Sequence, residues 1–355
     1  MTANISAKVS MRPNRVTLAD VATHAGVSVA TASKVLNGRT GVSDETRKLV
    51  ARSASTLGYV AVSERERPVR TEREPFIELV VDSLINPYTL ELLSGAVSGA
   101  APEGGVITIQ QLDSVEIEDP LEWAQRLART GRIGIIEATS DFSIERADAL
   151  RRVGLPLVLV DPVDVPPTKF YSVGATNFTG GIDATKHLLD LGHTIIGYVG
   201  GHENADCNIA RLHGYMAALN SASIITPMEF VSNGPFTYEH GLTAALDMLG
   251  SVDRPTAIFA ASDVTALGVM EAARLLGLTV PEDLSIVSFD NTLLSQTSTP
   301  RLTAVDQPIV EIGRTAVDTI VRLARGEAPR ANRVELATHL VVRDSTCPPK
   351  ARESS

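Results

Sequence analysis

The sequence predicts an α/β protein of two doubly wound, parallel-sheet lobes that carries a small all-α helix-turn-helix head. Three observations lead there. From Phe76 onward, short and solidly apolar runs alternate with segments of helical period, as expected when helices cover both faces of parallel strands. A separate helical pattern runs from Thr17 to about Gly58. Between the two lies Ser63 to Pro75, highly charged, nearly without apolar residues and broken by two prolines, which is the composition of a linker. The chain has 355 residues, 44% hydrophobic and 21% charged. That is ample for several cores, and it excludes disorder, collagen and coiled coil.

The expected strands are Phe76–Val81, Val106–Gln110, Ile133–Glu137, Leu157–Val160, Ile195–Val199, Ala257–Ala260 and Leu284–Ser288. The helical patterns between them are Tyr88–Ala101, Leu121–Thr130, Ile144–Val153, Gly180–Leu191, Ile209–Leu219, Phe236–Leu249 and Ala266–Leu276. No repeat of 20–50 residues is present. The expected organisation is a disordered N-terminus over 1–14, the head over 15–60, a linker over 61–75, the body over 76–345 and a polar tail over 346–355.

Charge separates the regions. Residues 1–75 hold 12 Lys and Arg against 7 Asp and Glu, and the rest of the chain holds 20 against 35. A basic head on an acidic body suggests that only the head meets a polyanion. The two cysteines, Cys207 and Cys347, make no disulfide framework and fit a reducing compartment. No apolar run reaches the ~20 residues of a membrane helix. Residues 1–15 hold no apolar stretch of signal-peptide type, so the expected location is cytoplasmic, with no membrane partner.

In the head, Thr17 and Asp20 form a capping-box pattern that starts a first helix. Leu18, Val21, Ala22 and Ala25 share one face. Gly26 supplies the positive φ of a sharp turn, Val27 plugs the angle, and Ser28 caps a second helix from Val29 to about Leu36, stopped by Asn37-Gly38. A third helix begins at Ser43-Asp-Glu-Thr46. In this geometry the second helix projects the side chains of its N-terminal half into the DNA major groove. Val29, Ala30 and Lys34 are the candidate base readers. Ser28, Thr31, Ser33 and Thr46 are short hydroxyl residues suited to phosphate oxygens.

The run Thr17-Leu-x-Asp-Val-Ala-x-x-Ala-Gly-Val-Ser-x-x-Thr-x-Ser-x-x-Leu-Asn-Gly38 resembles the DNA-binding head of the lactose-repressor (LacI/GalR) family, and the likeness continues through Val42-Ser-x-x-Thr-Arg47 and Leu57-Gly-Tyr59. The resemblance implies that Val29, Ala30 and Lys34 read bases, and the full set of candidate DNA-contacting residues is Thr17, Leu18, Ser28, Val29, Ala30, Thr31, Ser33, Lys34, Asn37 and Thr46. Lys34 stands where the family usually has arginine, so the bidentate fork toward guanine is lost. The linker departs from the family pattern. Ala61, Val62, Arg65 and Pro68 occupy the places of Pro, Asn, Ala and the wedging Leu of the family's hinge helix, which makes this a degenerate hinge.

From Phe76 to about Arg343 the chain is similar to the family's periplasmic-binding-protein-like core. The matching marks include Asn86-Pro-Tyr88, Arg211-x-x-Gly-Tyr215, Ser262-Asp-x-x-Ala-x-Gly268, Phe289-Asp290 and Asp306-Gln307-Pro308. The expected N-lobe spans about 76–173 plus 307–335, and the C-lobe about 174–306 plus the C-terminal strand. The resemblance implies an effector site between the lobes from Asn86, Tyr88, Asp161, Arg211, Phe236, Ser262, Asp290 and Gln307. Arg211 is expected to open a helix, and Phe236 to offer a platform for the apolar face of a sugar. A guanidinium and a carboxylate facing one cleft suit vicinal hydroxyls.

The resulting expectation is a transcriptional repressor of carbohydrate-metabolism genes, released from a pseudo-palindromic double-stranded DNA operator by a mono- or disaccharide. The alternative is a corepressor-dependent regulator of the same family, driven by a purine or a partner protein. A homodimer is expected, without the leucine-rich C-terminal helix that would make a tetramer. No nucleotide, catalytic or metal motif stands out, so neither enzyme activity nor a cofactor nor a metal is expected. His187 and His193 read as structural, and the glycines of Gly197–Gly201 as a tight turn.

Overall fold

A computed structural model describes residues 17–36, 42–57, 75–113, 119–163, 170–225, 228–251, 253–329 and 331–350. The chain divides into two compact units, Met1–Arg73 and Glu74–Ser355.

The first unit contains α1 (Leu18–His24), α2 (Val29–Leu36) and α3 (Asp44–Leu57). Thr17 caps α1 in a full capping box with Asp20. Gly26 turns the chain at φ +64°, and Ser28 Oγ accepts from Thr31 N–H at the start of α2. The core is made of small residues: Val21, Ala22, Ala25, Ala32, Val35, Val50 and Ala54, with Leu18, Val27 and Leu57 packed around them. Asn37, residues 1–16 and the hinge positions Ala61, Val62, Arg65 and Pro68 lie outside the described residues.

The second unit runs β1 (Phe76–Val81), α4 (Pro87–Ala100), β2 (Val106–Gln111), α5 (Pro120–Arg129), β3 (Arg132–Ala138), α6 (Ile144–Arg152), β4 (Leu157–Val160), β5 (Tyr171–Ala175) and α7 (Asn177–Asp190). It continues through β6 (Ile196–Val199), α8 (Asp206–Ser221), β7 (Val231–Ser232), α9 (Tyr238–Leu249), β8 (Ala257–Ala260), α10 (Asp263–Leu275), β9 (Ser285–Asp290) and α11 (Leu293–Thr297). It closes with β10 (Thr303–Asp306), α12 (Ile309–Ala324), β11 (Arg333–Leu336) and β12 (His339–Val341).

Two six-stranded sheets result, ordered β11-β5-β4-β3-β1-β2 and β12-β10-β9-β8-β6-β7. The first is wholly parallel. In the second, β12 runs antiparallel to β10, the one departure from the all-parallel expectation among the described strands. The two orders correspond strand for strand, and each reverses direction beside β1 or β6, where sheets of this kind bind ligands at the C-terminal strand ends. The chain passes between the sheets after β5, β10 and β11. Thr176 and Thr338 tie two of those passages together through their hydroxyls, 3.0 Å apart.

The sequence does not reveal β5, β7, β10 and β11, nor α11 and α12; the C-terminal strand expected of the C-lobe is β12. Among the described residues, strict alternation of strand and helix fails between β4 and β5 and between β11 and β12. The edge strands β11 and β12 carry Arg333, Glu335 and His339 on exposed positions, and β7 has only two residues, so none forms an apolar run. Helices α7 and α8 pack without intervening side chains at Gly181. A β-carbon there would lie 2.3 Å from the Arg211 carbonyl oxygen. This close approach fixes the element that carries Arg211.

Candidate functional site

On α2, Ala32 and Val35 face the head core, while Val29, Ala30 and Lys34 are exposed. Val29 is 49% exposed, unusual for a valine and suited to a thymine methyl. The hydroxyl residues have local duties. Thr17 bonds Asp20, Ser28 and Thr31 bond each other at 2.9 Å, and Thr46 bonds Ser43 at 2.8 Å. Ser33 is half-buried on α2, and Leu18 packs on the core. These caps orient the helix starts toward whatever the exposed face meets.

In the body one cavity of about 50 Å³ is lined by Asn86, Tyr88, Thr139, Asp161, Cys207, Arg211, Phe236, Ser262, Val264, Asp290 and Gln307. All eight effector-site residues expected from the sequence are therefore brought together. Thr139, Cys207 and Val264 were missed. Thr139 directly follows β3, as Asp161 follows β4, so its place at a C-terminal strand end was the available signal. Three of the lining residues, Thr139 (φ +54°), Asp161 (φ +41°) and Asp290 (φ +105°), hold a backbone region that non-glycine residues rarely adopt. Such strain persists where the surroundings enforce it, and it gathers at binding sites.

Two expectations are corrected. Arg211 does not open its helix; α8 begins at Asp206, placing Arg211 in the second turn. Phe236 is not helical; it lies in the loop before α9, which Thr237 caps.

Arg211 is buried and fully engaged on one side. Its Nε donates to Asn177 Oδ1 at 2.8 Å, and Nη1 donates to the Ala261 carbonyl at 2.6 Å. Nη1 also lies 3.7 Å from Asp290 Oδ1. The guanidinium stacks 3.7 Å from the Phe289 ring centroid and 5.9 Å from that of Phe236. Asp290 accepts a bond from Gln307 Nε2 at 2.6 Å. Asp161 accepts one from the Tyr88 hydroxyl at 2.6 Å. Asn86 caps α4 through Tyr88 N–H, and Ser262 caps α10 in a reciprocal bond with Thr265.

Burial pushes the Asp290 carboxyl up from the usual carboxylate range, against the pull of Arg211. Burial likewise raises Asp161, with the Tyr88 hydroxyl opposing. It raises the Tyr88 phenol well above its ordinary value, helped by Asp161. The Cys207 thiol is pushed up to about 12, chiefly by burial, which makes it an unreactive wall. The arrangement is a cleft of mixed lining, with two carboxyls, a guanidinium and one aromatic face.

Residues 17–61 match the model of bacterial regulatory proteins of the lacI family, and residues 185–346 match that of a periplasmic binding protein-like domain. The chain is 33% identical over 337 residues to the HTH-type transcriptional regulator DegA of Bacillus subtilis, covering 94% of this chain and 99% of that one. Among solved structures, a transcriptional regulator CelR–cellobiose complex is 29% identical, covering 93% and 100% of the two chains, with a TM-score of 0.70. The lac repressor dimer bound to operator and an anti-inducer is 26% identical, covering 94% and 100%, with a TM-score of 0.70.

Proposed function

The chain belongs to the lacI family of bacterial regulatory proteins and is a DNA-binding transcriptional regulator; on that premise we propose that it is a homodimeric repressor of carbohydrate-metabolism genes, released from a pseudo-palindromic operator by a mono- or disaccharide. Val29, Ala30 and Lys34 read base edges from two copies of α2. Thr17, Ser28, Thr31, Ser33 and Thr46 hold the helix starts against the phosphates. One small head offers too little surface for tight specific binding, and pairing two heads doubles it. Leu90 and Val97, seven residues apart on α4 and both more than half exposed, give the body an apolar stripe suited to a second copy.

The observation that carries the effector reading is the Arg211–Asp290 pair, buried in a chamber that also holds the Asp161 carboxyl and the Gln307 amide. A sugar presents hydroxyls to such walls and its apolar face to Phe236. Binding in the cleft between the lobes changes their relative closure. The effector then acts through its differential affinity for open and closed bodies, with a coupling of ~1–3 kcal/mol.

Binding of the full chain to a labelled palindromic DNA library, with and without a panel of mono- and disaccharides, tests this reading. It predicts enrichment of a two-fold symmetric sequence and its release by one sugar class. Selection of a non-palindromic site, or indifference to every sugar, contradicts it. Tightening by a ligand instead of release identifies the corepressor mode.

A further inference from the structure

The hydrogen-bond inventory of the cavity narrows the ligand beyond the sugar class, and the argument rests on that sugar reading. Among the described residues, Arg211 is the one cation lining the chamber. Its Nε and Nη1 are already held by Asn177 and the Ala261 carbonyl, and Nη1 lies 3.7 Å from Asp290 Oδ1. Across the chamber stands a second carboxyl, Asp161, bonded to Tyr88. Arg333, which lines the adjoining recess with Asp161 and Cys207, is committed to Asp206 at 3.1 Å and Glu335 at 2.8 Å.

Gln307 supplies the independent observation. The residue is 2% exposed and lines the chamber. Its Nε2 donates to Asp290, while its Oε1 is buried with no protein donor. Buried polar atoms are costly to leave unpaired. A ligand hydroxyl satisfies this oxygen; a phosphate or carboxylate oxygen, which brings no proton, does not.

We propose that the cavity selects an uncharged, unphosphorylated sugar, whose hydroxyls donate to Gln307 Oε1, Asp161 and Asp290, and that it rejects the phosphate-ester and uronic-acid forms of the same sugar. Asn86 and Ser262 already cap the first turns of α4 and α10, and the start of α8, which has no side-chain cap, carries the acidic Asp206 in its first turn.

The test is calorimetric titration of the full chain with D-ribose, D-glucose and cellobiose, and with ribose 5-phosphate, glucose 6-phosphate and glucuronic acid. A free sugar is expected to bind, and its anionic form to bind at least about 100-fold more weakly. Gln307→Met is expected to weaken the free sugar at least about tenfold, and Gln307→Asn, which keeps the amide, less than that. Thermal melts establish that both variants are folded. A phosphate or uronate that binds as tightly as its parent overturns this inference and leaves the sugar reading standing. Wild-type affinity in folded Gln307→Met overturns the role given to Gln307. Binding by neither set removes the sugar reading and this inference with it.

Discussion

The base-reading candidates of the head, Val29, Ala30 and Lys34, stand exposed on a helix of eight residues, whereas Arg211, Asp290, Asp161 and Gln307 in the body are each less than a tenth exposed. The head's specificity thus rests on side chains that its fold does not need. The groups proposed to bind ligand in the body are also structural members: Arg211 ties α7 to the end of β8, and Gln307 ties the passage after β10 to Asp290. Substitutions should separate function from stability in the head and entangle them in the body.

The largest effect is expected from Arg211→Ala. Removing one partner of a buried ion pair costs ~3–5 kcal/mol, to be seen in urea unfolding of the full chain. A loss below about 1 kcal/mol, in the range of an exposed pair, would break the comparison on the body's side. Gly181→Ala comes next. Its β-carbon would press on the Arg211 carbonyl, with an expected cost of ~1–3 kcal/mol and a weakened sugar response. Unchanged sugar affinity would show that α7 does not position the arginine.

In the head, Lys34→Ala should reduce discrimination at one base pair per half-site by ~1–3 kcal/mol while stability stays within ~0.5 kcal/mol. Competition binding against single-base operator variants and thermal melts measure the two halves of that statement. A large stability loss would contradict the exposed reading of Lys34. Ser28→Ala removes the hydroxyl that caps α2 and should cost the head ~1 kcal/mol, measured by unfolding of the head; an unchanged midpoint would mean that the cap contributes nothing.

A pH series sharpens the contrast further. Burial raises the carboxyls of Asp290 and Asp161 in the folded body. Their contribution to stability is therefore fully present below the ordinary carboxyl pKa near ~4. It is lost as pH rises through the higher folded values. In the proposed site sugar hydroxyls donate to the ionised form, so the stabilisation produced by the sugar should grow with pH over the same window. Asp290→Asn should flatten that growth. A sugar effect that shrinks as pH rises would reverse the assigned role.

The two regions also differ in how much the sequence revealed. The head was legible almost residue by residue, because caps, turn and core face all lie within one short segment: Thr17 with Asp20, Gly26, and Ser28 with Thr31. The body's apolar strands and most of its helices were legible from periodicity. Its edge strands were not, since β11 and β12 alternate charged and apolar residues over three or four positions. The cavity's residues were gathered by resemblance, because nothing local in the sequence announces that Asp161 and Gln307, far apart in the chain, share one chamber. Cys207 escaped for the same reason, whereas Thr139 had a local signal in its place directly after β3. The bond from Gln307 to Asp290 joins residues whose proximity only the folded sheet creates.

The central claim is that the buried Arg211–Asp290 chamber controls a head that binds DNA independently. The most direct measurement is titration of the library-selected operator with wild type and Asp290→Asn, each with and without the active sugar. Asp290→Asn is predicted to bind operator with wild-type affinity and to be indifferent to the sugar. A variant that still releases DNA at the wild-type sugar concentration would show that the chamber is not the effector site. A folded variant that no longer binds operator would show that head and body are not separable in function.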